Sequence, residues 1–233
     1  MNAERLVFVQ GMADTRATLR RWQAAPGRVL RDWILLSAGV CCALLLAVLL
    51  VAGFVTPDAT LLLLPGMGAT SDWAAVFEIL GRNLLVLALH AMACVAGFMA
   101  GASMPQLAAE RTGISRWVHE QAGRFAILFV IAATLFSLTT QAYVLGSITS
   151  TVSAQHGVAP ATLLLGLLPH ALPELTALFL PLAAWTIASR RGQWNELLAA
   201  TFVTTAIALP VLFLSALVEV HVSPQLVDAL TRP

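Results

Sequence analysis

Apolar runs alternate with short arginine- or proline-rich segments along nearly the whole chain. The runs fall at about residues 33–55, 80–101, 125–147, 161–188 and 197–218. About 20 predominantly apolar residues in a helix cross the roughly 30 Å of bilayer hydrocarbon. Each run reaches that length, so the pattern predicts about five transmembrane helices. Ahead of them, Leu6, Val7, Val9, Met12, Ala13, Leu19 and Trp22 recur at imperfect helical spacing opposite a basic face. This predicts an amphipathic helix lying in the headgroup region, with a soluble partner-docking helix as the competing reading. Pro26 and Gly27 should end it before the first span.

The expected fold is therefore all-α: a polytopic transmembrane bundle of about five spans behind an N-terminal amphipathic interfacial helix. The division is residues 1–31, basic and cytoplasmic, and 32–233, the membrane domain. Composition agrees with the pattern, since 59% of residues are hydrophobic and only 11% are charged. Soluble domains carry about 25% charged residues. The first apolar run begins near Ile34, after a polar segment, so no cleavable signal peptide is expected.

The connecting segments add detail. Residues 56–75 hold Pro57, Asp58, Pro65, Gly66, Gly68 and Asp72, and Leu61 to Leu64 form a run too short to cross. They read as a loop with an interfacial segment. Residues 103–124 read as a polar loop carrying a short helix around Ile114 to Glu120. The fourth run contains Pro169, Pro173 and Pro181. Each removes a backbone donor and frees a carbonyl, which predicts a broken fourth helix whose second half starts at Pro173.

Charge sets orientation. All 13 basic residues are arginine, and the net charge of +1 gives no bias towards nucleic acid. Eleven of them lie in the N-terminal segment, the 103–124 loop and the 189–196 turn. Arg82 and Arg232 fall on the other side. Arginine accumulates on the cytoplasmic side, so the expected placement is the bacterial inner membrane, N-terminus cytoplasmic and C-terminus outside. Cys41, Cys42 and Cys94 lie in apolar runs without a CxxC or Cys/His spacing, and read as packing residues.

Polar groups inside a bilayer are costly and mark function or specific pairing. The candidates are Asn83 and His90 in the second span, Gln141 in the third, His170 and Glu174 in the fourth, and Glu219 with His221 closing the fifth. Under the expected topology they converge on the outer leaflet half. His170, Glu174, Glu219, Asn83, His90 and His221 form the expected functional polar cluster. Three readings are open for it: packing between helices, a ligand, proton or ion site, and metal ligation. No HExxH is present, and no catalytic residue, metal site or cofactor is assigned.

Gly166-Leu-Leu-Pro-His170-Ala-Leu-Pro-Glu174-Leu, followed by Ala208-Leu-Pro210-Val-Leu-Phe-Leu-Ser-Ala-Leu-Val-Glu219-Val-His-Val-Ser-Pro224, resembles the stage II sporulation protein M family. Asn83-Leu-Leu-Val-Leu-Ala-Leu resembles the Asn-containing start of an earlier span in that family. The resemblance covers roughly residues 78–226. Ala171 stands where the family usually has Gly, and Pro173 where it commonly has an aliphatic residue. The resemblance implies a membrane protein with His170, Glu174 and Glu219 as motif positions. Its founding members work with peptidoglycan-degrading enzymes during engulfment.

Three functions follow as expectations. The first is a non-enzymatic component of an envelope-associated complex with membrane or envelope partners. The second is a permease-like subunit of an ABC-type transporter, working as a homodimer with a cytoplasmic ATPase. Its motives are the N-terminal helix, the helical 103–124 loop and the broken helix. The third is an intramembrane metal-dependent enzyme using His170, Glu174, Glu219 and His221, with His90.

Overall fold

A computed structural model of the chain describes residues 3–58 and 72–231, and is helical almost throughout. The expected interfacial stretch Leu61 to Leu64 and the tail arginine Arg232 lie outside the described residues. Helix α1 spans Ala3–Gln23, α2 Pro26–Phe54, α3 Asp72–Phe98, α4 Met104–Ala108, α5 Gly113–Gln155, α6 Pro160–Arg190, α7 Leu197–His221 and α8 Ser223–Thr231. A π turn, Met99–Ser103, joins α3 to α4, so Asp72–Ala108 is one long helical run. No strand occurs among the described residues.

Five of these runs are long and apolar enough to cross a membrane: Pro26–Phe54, Asp72–Ala108, Gly113–Gln155, Pro160–Arg190 and Trp194–His221. The protein is a multi-pass membrane protein. Large apolar side chains on these helices stand open, as Phe129 at 73% and Phe136 at 76% exposure illustrate. Lipid is the solvent that such surfaces require.

Two expectations about the helices are corrected. Residues 113–124 are not a loop with a separate short helix. They are the first turns of α5, whose 43 residues run about 65 Å. Only Ala109 to Thr112 connect α4 to α5. The Arg116–Glu120 pair at 2.7 Å, four residues apart, supports helix through this polar stretch.

The fourth helix is also unbroken: α6 runs continuously from Pro160 through Pro169, Pro173 and Pro181 to Arg190. Pro169 and Pro173 lie on its exposed side. Each proline deletes one hydrogen bond while the neighbouring bonds of the ladder persist, and a membrane helix tolerates that loss.

Helix ends have local causes. Pro26 and Pro160 open α2 and α6, where a missing amide hydrogen costs nothing. Gly157 and Gly192 close α5 and α6 with φ of +66° and +68°. The following amides, Val158 and Gln193, reach back to the carbonyls of Ser153 and Ala188 at 2.9 Å each.

The chain divides into two compact units, each taking a section of several helices. The first comprises Met1–Ser37, Leu87–Ala133 and Phe179–Ile207. Its core joins Cys94, Phe98, Trp185, Ala188 and Leu197, with a second cluster of Trp33, Leu180, Ala184 and Ala200. Trp194 fills the space left by Gly101 in the π turn, where a Cβ would come within 2.1 Å of its ring. Helix α1 is fastened to this unit by fully buried Thr18, by Gly11 against Leu198 and Phe98, and by an Arg21–Glu196 ion pair at 3.2 Å. Cys94 is buried here, its thiol donating to the Pro181 carbonyl at 3.1 Å.

The second unit comprises Ala38–Val86, Thr134–Leu178 and Ala208–Pro233. Val76 and Ile79 on α3 bury against Ala216 on α7, with Leu217 and Val220 beside them. Gly146 lets α5 approach Val51 of α2 closely.

Candidate functional site

The polar residues of the second unit grow out of its apolar seam. On α3, Val76, Ile79 and Asn83 follow one another at spacings of three and four, so they share a face. On α7, Glu219 stands three residues beyond Ala216. Asn83 thus stands one turn beyond the α3–α7 contact, while Glu219 lies within the Ala216 to Val220 stretch of α7 that makes it.

Helix α6 supplies a third stripe. Gly166, His170 and Glu174 recur every four residues on one face, and because the helix continues through Pro173 the stripe stays in register. Each position has a distinct partner. Gly166 leaves a slot for α8, where a Cβ would lie 2.8 Å from Val227 Cγ2. His170 Nδ1 meets the Ser223 hydroxyl at 2.6 Å in a buried hydrogen bond, pinning the start of α8. Glu174 is within electrostatic reach of Glu219 and Arg82 and lies beside Asn83.

That last group is incompletely satisfied. Asn83 is close enough to interact with the Glu174 carboxyl, yet Asn83 Nδ2 and Glu174 Oε2 are both buried without a hydrogen-bond partner. Leaving a buried polar atom unpaired costs about 1–3 kcal/mol. The site thus presents a donor on α3 and an acceptor on α6 whose hydrogen-bonding capacity is not filled, although the two side chains interact. Arg82, which also interacts with Glu219, supplies one positive charge to two carboxylates. Such an arrangement complements a group that both donates and accepts, or a cation.

Not every expected member joins this group. His221 is exposed and faces Asp72, with Nδ1 4.0 Å from Oδ2. His90 belongs to the first unit, where its ring lies 5.8 Å from that of Phe179. Gln141 donates to Ser137 Oγ at 3.1 Å on its own helix. Among the described residues, no three His, Cys, Asp or Glu side chains are placed to hold a metal ion. His170 and Ser223 have the composition of a base and a nucleophile, but no carboxylate bonds the second imidazole nitrogen among the described residues.

Two contributors escaped the sequence reading. Ser223 stands directly before Pro224, the pattern of a helix start, and could have been read as the polar head of α8. Arg82 falls at the outer edge of the apolar run that starts near residue 80, although it lies ten residues inside α3.

Residues 124–224 match the family model described as Stage II sporulation protein M. That stretch is similar to the stage II sporulation protein M family. The chain matches no curated protein and no solved structure. The matched segment takes in most of α5, all of α6 and α7, and Ser223, hence His170, Glu174, Glu219 and His221. It begins later than the residue-78 start expected from sequence. Asn83 and Arg82 therefore meet the family segment in space from outside it.

Proposed function

We propose that this stage II sporulation protein M-like chain is a non-enzymatic component of an envelope-associated complex in the bacterial inner membrane. Its N-terminus is cytoplasmic and its C-terminus outside, the orientation favoured by the eleven-to-two division of arginines. The Asn83–Glu174–Glu219 group serves as a polar docking point for a partner's membrane segment. The observation that carries this reading is the unpaired Asn83 Nδ2 beside the unpaired Glu174 Oε2 within spans. A side-chain amide or hydroxyl from a partner helix completes both, and interhelical hydrogen bonds of this kind hold membrane helices together.

The transport reading loses one of its motives, because α6 is continuous. The metal-enzyme reading finds no ligand set among the described residues. Co-purification from native membranes after short-range crosslinking tests the proposal. Reproducible recovery of membrane or envelope proteins is expected. Recovery of the chain alone, or only as its own dimer, contradicts it, and recovery of an ATPase returns the transport reading.

A further inference from the structure

The first unit contains a cavity of about 370 Å³ where α2 begins and α6 ends. Its lining changes character along the helices. At the helix ends stand Arg28 and Arg31 of α2, Arg191 just beyond α6, and Glu196 just before α7. One to two turns further into α6 and α7 the lining is Ala184, Ala188 and Ala200, whose small side chains leave the space open. Two tryptophans complete it, Trp22 from α1 and Trp33 from α2, meeting edge to face at 5.1 Å. Tryptophan is the residue that favours the membrane–water boundary.

The charges at the mouth are organised. Asp32 stands between two arginines, 3.4 Å from Arg31 and 3.5 Å from Arg191, and so links the start of α2 to the end of α6. Arg21 neutralises Glu196 at 3.2 Å. Four guanidiniums thus face two carboxylates, and no ion pair holds Arg28 among the described residues. Two positive charges remain for an anion. Arginine's planar fork suits phosphate, and the cavity holds about a dozen water-sized molecules, far more than a phosphate ion needs.

We propose that this cavity binds the headgroup of an anionic phospholipid. The phosphodiester sits against Arg28, Arg31 and Arg191, and the start of an acyl chain enters the alanine-lined end. The gradient from guanidinium to alanine is what selects an amphiphile over a free ion. Basic pockets between membrane helices on the cytoplasmic side take such headgroups. This inference does not rest on the docking role given to Glu174.

Native mass spectrometry of the purified full chain, titrated with phosphatidylglycerol or phosphatidylcholine, tests it. One phosphatidylglycerol should be retained in clear preference to phosphatidylcholine. Arg28→Gln with Arg31→Gln should weaken that retention more than tenfold, at about fivefold per arginine. Arg16→Gln with Arg20→Gln removes the same charge from exposed positions of α1 that do not line the cavity, and should change it less than twofold. Should the first pair fail to fold, Arg28→Lys with Arg31→Lys keeps the charge but loses the planar forks, and should weaken retention about fivefold. Equal losses from the cavity and control pairs overturn the proposal, as does equal retention of the two lipids. Displacement by equimolar inorganic phosphate overturns the lipid assignment.

Discussion

Replacing both Asn83 and Glu174 with leucine should make the protein more stable, not less. From sequence alone, Glu174→Leu looks destabilising, because it strips donors of their acceptor. The structure reverses that sign. Glu174 Oε2 and Asn83 Nδ2 are already buried and unpaired, and each costs about 1–3 kcal/mol. Removing both relieves about 2–6 kcal/mol by the same measure. Fitting two bulkier side chains takes back about 1–3 kcal/mol. Glu219 keeps Arg82 as its charge partner, so no new isolated charge is created. The net gain should be roughly 2 kcal/mol, and a chain of this size gains about 2–4 °C in Tm per kcal/mol. Thermal unfolding in one detergent, followed by the loss of monodisperse protein, should rank wild type lowest, the single Asn83→Leu and Glu174→Leu variants between, and the double variant highest by about 4–8 °C. A double variant that melts 4 °C or more below wild type refutes the reasoning. It would mean that these groups hold the fold together rather than waiting for a partner.

Further predictions concern the stripe on α6 and the glycine contacts. Ser223→Ala leaves His170 Nδ1 without its 2.6 Å partner and should cost about 1–3 kcal/mol. Amide exchange in α8 should accelerate while α6 is unchanged; unaltered α8 protection would count against the tether. Gly166→Ala drives a Cβ to 2.8 Å from Val227 and should raise α8 exchange in the same way. Gly101→Ala places a Cβ 2.1 Å from the Trp194 ring, and should lower stability by about 1–3 kcal/mol. Gly39→Ala, with nothing within 4 Å of its Cβ, should gain about 0.5–1 kcal/mol from helix propensity. Equal melting of these two variants would contradict the packing described around the π turn.

The spans were legible because lipid makes hydrophobicity almost the only requirement on them, and all five apolar runs correspond to helices. Their ends were less so. Arg111, Arg116 and Arg124 make residues 103–124 look like a loop. Helix propensity and an i,i+4 ion pair carry α5 through them, and hydropathy is blind to both. The proline-rich run misled for a related reason. Pro169 and Pro173 forbid two bonds, but sequence does not reveal that both face outward from a helix stabilised by its neighbouring turns.

The polar set was half legible. His170 and Glu174 share a face by spacing alone. Asn83 and Glu219 come within reach of Glu174 through the packing of α3, α6 and α7, a tertiary fact. His90, seven residues past Asn83 on α3 and so on nearly the same face, falls in a different unit, where Phe179 is its neighbour. His221 is only two residues from Glu219, which turns it towards Asp72. Depth in the membrane therefore says less about partnership than helical register does.

Quantitative co-purification of wild type and Glu174→Gln, matched for abundance in native membranes, bears most directly on the central claim. Glutamine puts one oxygen and one N–H2 group where the carboxylate has two oxygens, so the fold should persist, while the second acceptor, the one a partner completes, is replaced by a donor. The account predicts that wild type recovers a reproducible set of membrane or envelope proteins and that Glu174→Gln loses most of it at unchanged Tm. Full retention of that set by Glu174→Gln would contradict it.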